Sequence, residues 1–316
     1  MSKTVYIGLD VGSVSTNLVL MDKSADVIET SYAYTHGDPI GATRAGLIDC
    51  LTGKDYRVSG VGVTGSGRNL IGSVVGADIK RTEIIAHFRG ALMVRPGCKT
   101  IIEIGGQDSK IISIQGGMVA DFNMNSICAA GTGAFLESQA RRLGIDVKDV
   151  GEMALSARRA APISGRCTVF AETDMIHRQQ QGFGQVEILA GLCRSLVKNY
   201  LNNCAKGKPI REEILFQGGV SNNKGIVKAF EDELRMPVIV PEYNDVMGAL
   251  GMAVFARDFK GETSFKGLAA LNTAVYETTS FGCEKCESHC DIVKISENGT
   301  PIAYWGGACD RWTNEE

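Results

Sequence analysis

The sequence predicts an α/β fold of two similarly built domains, followed by a small cysteine-rich extension. "TVYIGLDVGSVSTNLVLMD" (4–22) has the pattern of a strand, a turn rich in glycine and hydroxyl residues, and a second strand. "KTIIEIGGQDSKIISIQGGMVADFNM" (99–124) repeats this layout and adds a hairpin into a third strand. The regular pattern weakens from residue 262. We therefore expect domain I at 1–94 with 240–261, domain II at 95–239, and the extension at 262–316.

Helices are expected where apolar residues recur at a spacing of three and four. This periodicity predicts helices at 40–53, 83–93, 131–143 and 185–206. "EEILFQGGVSNNKGIVKAFEDEL" (212–234) predicts a strand, a glycine-rich turn and a helix. "MPVIVPEYNDVMGALGMAVFARDF" (236–259) predicts a short strand and a helix of small residues that can pack closely.

Composition and charge limit the possible partners and the compartment. The chain has 316 residues, 44% of them hydrophobic, and a net charge of only −3 without a basic stripe, which argues against nucleic acid as a partner. No apolar run is long enough to cross a bilayer, and the first residues lack a signal-peptide layout. We expect a cytoplasmic protein. Its ten cysteines are many for that compartment, where clustered thiols more often bind metals or do redox chemistry.

The first glycine turn, "DVGSVST" (10–16), combines a carboxylate with backbone amides and hydroxyls. Its candidate ligands are Asp10, Gly12, Ser13, Ser15 and Thr16. Amides and hydroxyls of this kind can hold phosphate oxygens, and Asp10 can bind Mg²⁺ directly or through water. Taken alone, the turn is equally compatible with an ordinary tight hairpin.

Two further turns carry related chemistry. "GGQDS" (105–109) offers Gly105, Gly106, Asp108 and Ser109, with Asp108 as the carboxylate. "QGGVSNN" (217–223) ends a strand and begins a helix, as a turn that holds adenosine would, and its candidates are Gly218, Gly219 and Asn222. No G-x-x-x-x-G-K-[ST] motif occurs, so the chain is not a P-loop protein.

The order of these turns resembles that of the actin, heat-shock chaperone and sugar-kinase superfamily. Within it, the chain is similar to the ATP-dependent activators of 2-hydroxyacyl-CoA dehydratases and the related ATPase subunits of benzoyl-CoA reductase. The similarity lies in "GLDVGSVST", "VTGSGRN", "EIGGQDSK", "NMNSICAAGTGAFLE", "RCTVFAETD", "QGGVSNN" and "GALGMA", and covers residues 4–258. It implies two actin-like, ribonuclease-H-like domains around a nucleotide cleft.

The resemblance also implies a homodimer in which Cys128 and Cys167 of both subunits hold one [4Fe-4S] cluster. Two cysteines per chain are half of the four thiolates that such a cluster usually needs, so a symmetric dimer completes the set. A helix that begins near residue 130 would direct its positive end at the cluster. The glycines of "GTG", with Gly131 and Thr132, would reach back to the phosphates.

The implied activity is ATP hydrolysis coupled to the delivery of low-potential electrons. The donor would be reduced ferredoxin or flavodoxin, and the acceptor a 2-hydroxyacyl-CoA dehydratase, an aryl-CoA reductase or a double-cubane-type reductase. Asp10 and Asp108 would bind Mg²⁺ and handle the attacking water, which Gln107 would orient. Two alternatives remain at this point: a small-molecule kinase of the same superfamily, and an ATP-binding assembly or scaffold protein.

The remaining cysteines divide into two groups. We expect Cys50, Cys98, Cys193 and Cys204 to be buried as small hydrophobic residues. Cys283, Cys286, Cys290 and Cys309 form C-x₂-C-x₃-C and a fourth thiol after a hairpin predicted from "DIVKI" and "IAYW". This pattern fits a zinc ribbon, in which His289 could replace one thiol, an iron–sulfur site, or reduced thiols without metal. Glu172 is either a structural cap or a polar group near the cluster, and no histidine is assigned a catalytic role.

Overall fold

In the computed structural model, which describes residues 2–125, 129–309 and 312, the chain divides into two compact units. Unit 1 comprises residues 1–90 and 248–316, and unit 2 comprises residues 91–247. The sequence pattern predicts these borders at 94 and 240, and it predicts a separate extension at 262–316. The structure instead groups that segment with unit 1.

The first part of unit 1 is a five-stranded sheet with two helices that follow its strands. Its elements are β1 (Lys3–Val11), β2 (Ser15–Asp22), β3 (Val27–Tyr34), α1 (Pro39–Leu51), β4 (Tyr56–Thr64), α2 (Arg68–Val75) and β5 (Ile79–Lys80), with α3 (Glu83–Val94) leading into unit 2. The strand order is β3-β2-β1-β4-β5; β1, β2 and β3 are antiparallel, whereas β4 and β5 run parallel to β1. The turn at 12–14 therefore joins two central antiparallel strands.

Unit 2 repeats the same plan. Its elements are β6 (Thr100–Ile104), β7 (Ser109–Gln115), β8 (Met118–Asn125), α4 (Gly133–Arg142), α5 (Val150–Leu155), α6 (Thr168–Gln180), α7 (Gln185–Asn203), β9 (Ile214–Gln217), α8 (Lys224–Leu234) and β10 (Val238–Ile239). The order β10-β9-β6-β7-β8 is that of the first sheet, with β6 in the place of β1 and β7 in the place of β2. The α/β fold of two similar domains is thereby confirmed.

The described remainder of unit 1 consists of two helices and a three-stranded sheet. These elements are α9 (Met247–Asp258), α10 (Gly267–Thr273), β11 (Tyr276–Gly282), β12 (Asp291–Glu297) and β13 (Thr300–Trp305). Small residues let α9 lie directly on the first sheet: a Cβ at Gly8 of β1 would come within 1.9 Å of the Ala249 carbonyl oxygen. The predicted hairpin is present as β12 and β13, which are antiparallel.

The cysteine-rich segment is anchored to the core of unit 1. Leu271 of α10 is only 2% exposed and belongs to the same apolar cluster as β1. The Lys266 amide donates to the Val75 carbonyl at 3.1 Å, and Arg44 donates to the Ala274 carbonyl at 3.3 Å. The extension exists, but it is packed on α1 and α2. Sequence patterning missed this because the contacts join residues that lie far apart along the chain.

In the part of the chain that the structure describes, no helix combines the length and apolar character needed to cross a membrane.

Candidate functional site

The first glycine turn is a tight connection between β1 and β2. The Gly12 amide donates to the Ser15 carbonyl at 2.8 Å. Thr35 donates its hydroxyl to the Gly12 carbonyl at 2.9 Å and lies 3.0 Å from the Thr16 hydroxyl, which is buried. Thr16 therefore helps to fix the turn, whereas Ser13 is exposed at its tip and Ser15 is half-buried.

Asp10, at the end of β1, lies beside a histidine that sequence reasoning left without a role. His87 of α3 is 6% exposed, and its Nε2 is 3.9 Å from Asp10 Oδ2. Gly248 at the start of α9 completes this contact, since a Cβ there would lie 2.0 Å from Asp10 Oδ2 and 3.3 Å from His87 Nε2. The carboxylate is thus held by close packing, and any side chain at position 248 would displace it.

The second glycine turn connects β6 and β7 in the same way. The Gly105 amide donates to the Asp108 carbonyl at 3.0 Å, and Gln107 is exposed. The Asp108 carboxylate is half-buried and lies 3.0 Å from Lys110 Nζ. Ser109 is fully buried.

Lys110 is a buried cation between two carboxylates. Its side chain is 2% exposed, and its Nζ lies 2.9 Å from Glu103 Oε2 as well as 3.0 Å from Asp108 Oδ2. The Glu103 carboxylate also touches the third turn, since a Cβ at Gly218 would lie 2.8 Å from Glu103 Oε1. Burying charges costs several kcal/mol per ion unless they are paired. The pair therefore fixes Asp108 and links the second and third turns. In the sequence, this buried pair is indicated by a glutamate inside the apolar run "IIEIGG".

We predict that Lys110→Met lowers the free energy of unfolding by about 3–5 kcal/mol, because it leaves the Glu103 carboxylate buried without its cation. Chemical denaturation measures this loss. Lys208→Met is the matched control, since Lys208 pairs with Asp121, whose side chain is 46% exposed, and we expect little change there. Combining Lys110→Met with Glu103→Gln should recover part of the loss. A single variant as stable as the native chain would contradict the prediction.

The start of α4 is hydrogen-bonded to the second glycine turn. The Gly133 amide donates to the Gly105 carbonyl at 2.9 Å, and the Ala134 amide donates to the Gly106 carbonyl at 2.8 Å. The helix was expected from residue 131, but Gly131 belongs to a single 3₁₀ turn and the buried Thr132 is the N-cap of α4. The first amides of α4 thus hold the second glycine turn through its carbonyls. The reach of "GTG" toward the phosphates remains a prediction.

The third turn follows β9 and needs glycine at its first position. Gly218 has φ +88°, and a Cβ there would lie 2.4 Å from the Ile104 carbonyl oxygen. Asn244, which sequence reasoning missed, organises the turn: its carbonyl accepts from the Gly218 amide at 2.7 Å, and its side chain donates to Asn222 Oδ1 at 2.9 Å. Gly219 and Asn222 form the 3₁₀ turn before α8.

The structure describes one of the two cysteines that are expected to bind the cluster. Cys128 lies outside the described residues. Cys167 is a free, half-buried thiol and the N-cap of α6. Glu172 of α6 pairs with Arg142 at the end of α4, at 2.7 Å. The pair joins the two helices that follow the two cysteines, a role that neither expectation for Glu172 included.

Comparison with known proteins identifies the family. Residues 7–256 match the model of the BadF/BadG/BcrA/BcrD ATPase family. The chain belongs to this family. The activator of 2-hydroxyisocaproyl-CoA dehydratase from Clostridium difficile, solved with bound ADPNP, is 31% identical to this ATPase with a TM-score of 0.73, covering 80% of this chain and 94% of that one.

Two other relatives agree with this assignment. Component A of (R)-2-hydroxyglutaryl-CoA dehydratase from Acidaminococcus fermentans is 30% identical with a TM-score of 0.73, covering 81% of this ATPase and 98% of that chain. The activator of lactoyl-CoA dehydratase from Anaerotignum propionicum is 34% identical over 259 residues, 79% of this ATPase and 96% of the relative. The two solved structures confirm the actin-like fold. Residues 257–316 of the ATPase lie beyond the matched family region.

Four other cysteines of the ATPase are structural. Cys50, Cys98, Cys193 and Cys204 are all buried, as expected. Burial raises the pKa of Cys98 to about 11 and that of Cys193 to about 12. Thiols of this kind stay protonated, and metal ligands must be thiolates.

The tail cysteines of the ATPase are arranged around the hairpin ends. The Cys283 amide donates to the Cys290 carbonyl at 2.8 Å, which extends the pairing of β11 with β12. The Ala308 amide donates to Cys290 Sγ, and Trp312 Nε1 donates to Cys283 Sγ, both at 3.3 Å. Cys286 and Cys309 are exposed. Within residues 2–125, 129–309 and 312, no three His, Cys, Asp or Glu side chains are grouped so that they could hold a metal ion.

Proposed function

We propose that this ATPase is a reductive activator that hydrolyses ATP to deliver low-potential electrons to a partner iron–sulfur enzyme. One observation carries the proposal: the amides at the start of α4, a few residues after Cys128, donate directly to the carbonyls of Gly105 and Gly106 in the second turn. A nucleotide-dependent shift of that turn would therefore reach the cysteine segment. The similarity to three dehydratase activators supports the same function.

The nucleotide would be held by the three turns. Amides and hydroxyls of the first and second turns would bind phosphates, Gly131 and Thr132 would lie behind the second, and the third turn would hold adenosine. Gln107, exposed on the second turn, would orient the attacking water. Asp10 and Asp108 would hold Mg²⁺, which binds through one or two carboxylates together with substrate phosphates. Each carboxylate is fixed within its own unit, Asp10 beside Gly248 and Asp108 beside Lys110.

Cys128 and Cys167 of two chains would hold one [4Fe-4S] cluster, which supplies one-electron transfer at low potential. The surface of α6 around Cys167 fits this arrangement. The thiol is accessible, and Val169, Phe170 and Ile176 are 68%, 58% and 41% exposed. Large exposed apolar side chains mark a surface that another chain covers, and a second copy would bring two more thiols. Both requirements support a homodimer.

The donor would be reduced ferredoxin or flavodoxin, and the acceptor a 2-hydroxyacyl-CoA dehydratase or a double-cubane-type reductase. We place the reaction in the cytoplasm, where the nine described cysteines, all free, would remain reduced.

Anaerobic purification tests the function. We expect a brown protein with one cluster per two chains, and electron transfer to a purified dehydratase that requires ATP and reduced ferredoxin. A colourless protein that phosphorylates a small molecule would establish a kinase instead. A colourless protein that binds nucleotide without kinase activity or electron transfer would indicate a scaffold protein.

The tail contains four cysteines, Cys283, Cys286, Cys290 and Cys309. We propose that they bind zinc or an iron–sulfur cluster and form a docking surface for the partner enzyme. Support comes from the N–H donors to the sulfurs of Cys283 and Cys290, because such donors stabilise thiolate ligands. Since no group of three potential ligands is assembled in the described residues, binding would draw the two exposed thiols inward.

We predict that Cys286→Ala combined with Cys309→Ala removes this metal but preserves ATP hydrolysis, since both cysteines are exposed and lie outside the nucleotide turns. Elemental analysis of zinc and iron per chain measures the loss, and electron delivery to the partner should weaken. Cys50→Ala is the control. If the double variant and the native chain have the same zinc content and the same iron content, the tail binds no metal.

A further inference from the structure

Asn199 and Tyr200 are two consecutive residues of α7. Both are 0% exposed. Asn199 is a polar residue on the buried face of α7, and burial of its amide is costly unless hydrogen bonds compensate. Its hydrogen bonds therefore indicate what it does.

Asn199 fastens the segment that leads into Cys167. Its Nδ2 donates to the Gly165 carbonyl at 3.2 Å and to the Arg166 carbonyl at 2.5 Å. Ser195, one turn earlier on α7, donates to the Ser164 carbonyl at 2.5 Å. A Cβ at Gly165 would lie 2.7 Å from Lys198 Cβ, so this backbone lies directly on α7. The three residues before Cys167 are thus held by α7 rather than by α6 alone.

Tyr200 fastens the same helix to the second glycine turn. Its hydroxyl donates to the Lys110 carbonyl at 2.8 Å, and Lys110 Nζ lies 3.0 Å from Asp108 Oδ2. The ring packs edge-on against Phe230 at 5.4 Å, which fixes its orientation. A displacement of the strand after Asp108 therefore acts on α7 at the residue next to Asn199.

The 3₁₀ turn after Cys128 meets the same two residues. A Cβ at Gly131 would lie 3.0 Å from Asn199 Oδ1 and 3.6 Å from Tyr200 Cα. One point on α7 therefore contacts the segment before Cys167, the segment after Cys128 and, through Tyr200, the Asp108 turn. All of these residues belong to unit 2.

We propose that Asn199 is a positioning residue that couples the nucleotide turn of unit 2 to Cys167. The inference deepens the proposed function and rests on it, because Cys167 is a cluster ligand there. Such coupling gives a nucleotide response at the segment before Cys167 that disappears when the shared residue is changed. Coupling between two sites typically amounts to about 5-fold or more.

The experiment is amide hydrogen exchange of residues 163–168 in the full chain, with ADP and with a non-hydrolysable ATP analogue. We expect exchange there to differ between the two nucleotides by about 5-fold in the native chain. Asn199→Ala should abolish most of this difference while nucleotide affinity is retained. Tyr200→Phe, which removes only the hydroxyl, should reduce it as well and remains informative if Asn199→Ala folds poorly. Asn203→Ala is the control, because the Asn203 side chain donates to a carbonyl of its own helix, that of Asn199, at 3.0 Å.

Hydrogen exchange can be measured on protein without iron. The proposed function and the role of Asn199 can therefore be disproved independently. A native chain without cluster or electron transfer would end the proposed function. A nucleotide difference at 163–168 that is absent from the native chain, or unchanged in both variants, would overturn the role of Asn199. In the iron-loaded protein, the rate at which a chelator extracts iron should depend on the nucleotide in the native chain and lose that dependence in Asn199→Ala.

Discussion

Asp10→Ala or Asp108→Ala is expected to abolish ATP hydrolysis while leaving the iron content of the protein unchanged. Each substitution removes one of the two carboxylates proposed to hold Mg²⁺. Metal stabilisation of phosphoryl transfer contributes several kcal/mol, so we expect the turnover number to fall by about 100-fold or more. Iron should remain, because neither carboxylate lies on the helices or segments that carry the cysteines. Phosphate release and iron content are measured on the same preparations.

Asp121→Ala is the matched control for this experiment. Asp121 lies on β8, in the sheet whose strands β6 and β7 flank Asp108, and pairs with Lys208 at 2.7 Å, but its side chain is 46% exposed and it lies outside the glycine turns. The Asp121→Ala variant should hydrolyse ATP at the native rate. Asp108→Asn separates charge from shape, since it keeps the size of the side chain. Normal hydrolysis by both alanine variants would show that the first and second turns do not form the proposed site.

The glycine turns could be predicted from sequence because their signals are local. A strand pattern, a glycine pair and a carboxylate within a few residues specify a hairpin such as the one from Gly105 to Asp108 without knowledge of the rest of the chain. The repeated plan of the two sheets was visible for the same reason. The expected helices also lie close to their observed bounds, with α4 starting at Gly133 rather than 131.

What the sequence did not reveal depends on partners that are distant along the chain. Lys110 and Glu103 sit seven residues apart in an apolar pattern, and only the register of β6 with β7 makes them a buried pair. His87 approaches Asp10 from another element, and Asn244 reaches the third turn from beyond α8. The tail looked separate because its contact through Leu271 depends on tertiary packing. Hydrophobic periodicity reports local patterns, so it does not indicate contacts between distant parts of the chain.

Cys128→Ser or Cys167→Ser is expected to remove the visible absorbance of the iron–sulfur cluster and to stop electron delivery. A hydroxyl is a far weaker ligand than a thiolate, and two-fold symmetry doubles the effect, since one substitution per chain removes two of four ligands. Nucleotide binding should persist, because the three turns and the Lys110 pair are untouched. Absorbance spectra, iron analysis and nucleotide titration on anaerobic samples measure these outcomes.

Cys98→Ala provides the control that makes the cysteine result specific. Cys98 is buried, and its burial raises the pKa of the thiol to about 11, so it is a poor ligand and its removal should leave iron and absorbance unchanged. The native protein should contain one cluster per two chains, and dissociating the dimer should release the iron. A complete cluster in an isolated monomer would refute the bridging arrangement, because a chain with only Cys128 and Cys167 engaged supplies half of the thiolates required. The exposed side chains of Val169 and Phe170 would then need another partner.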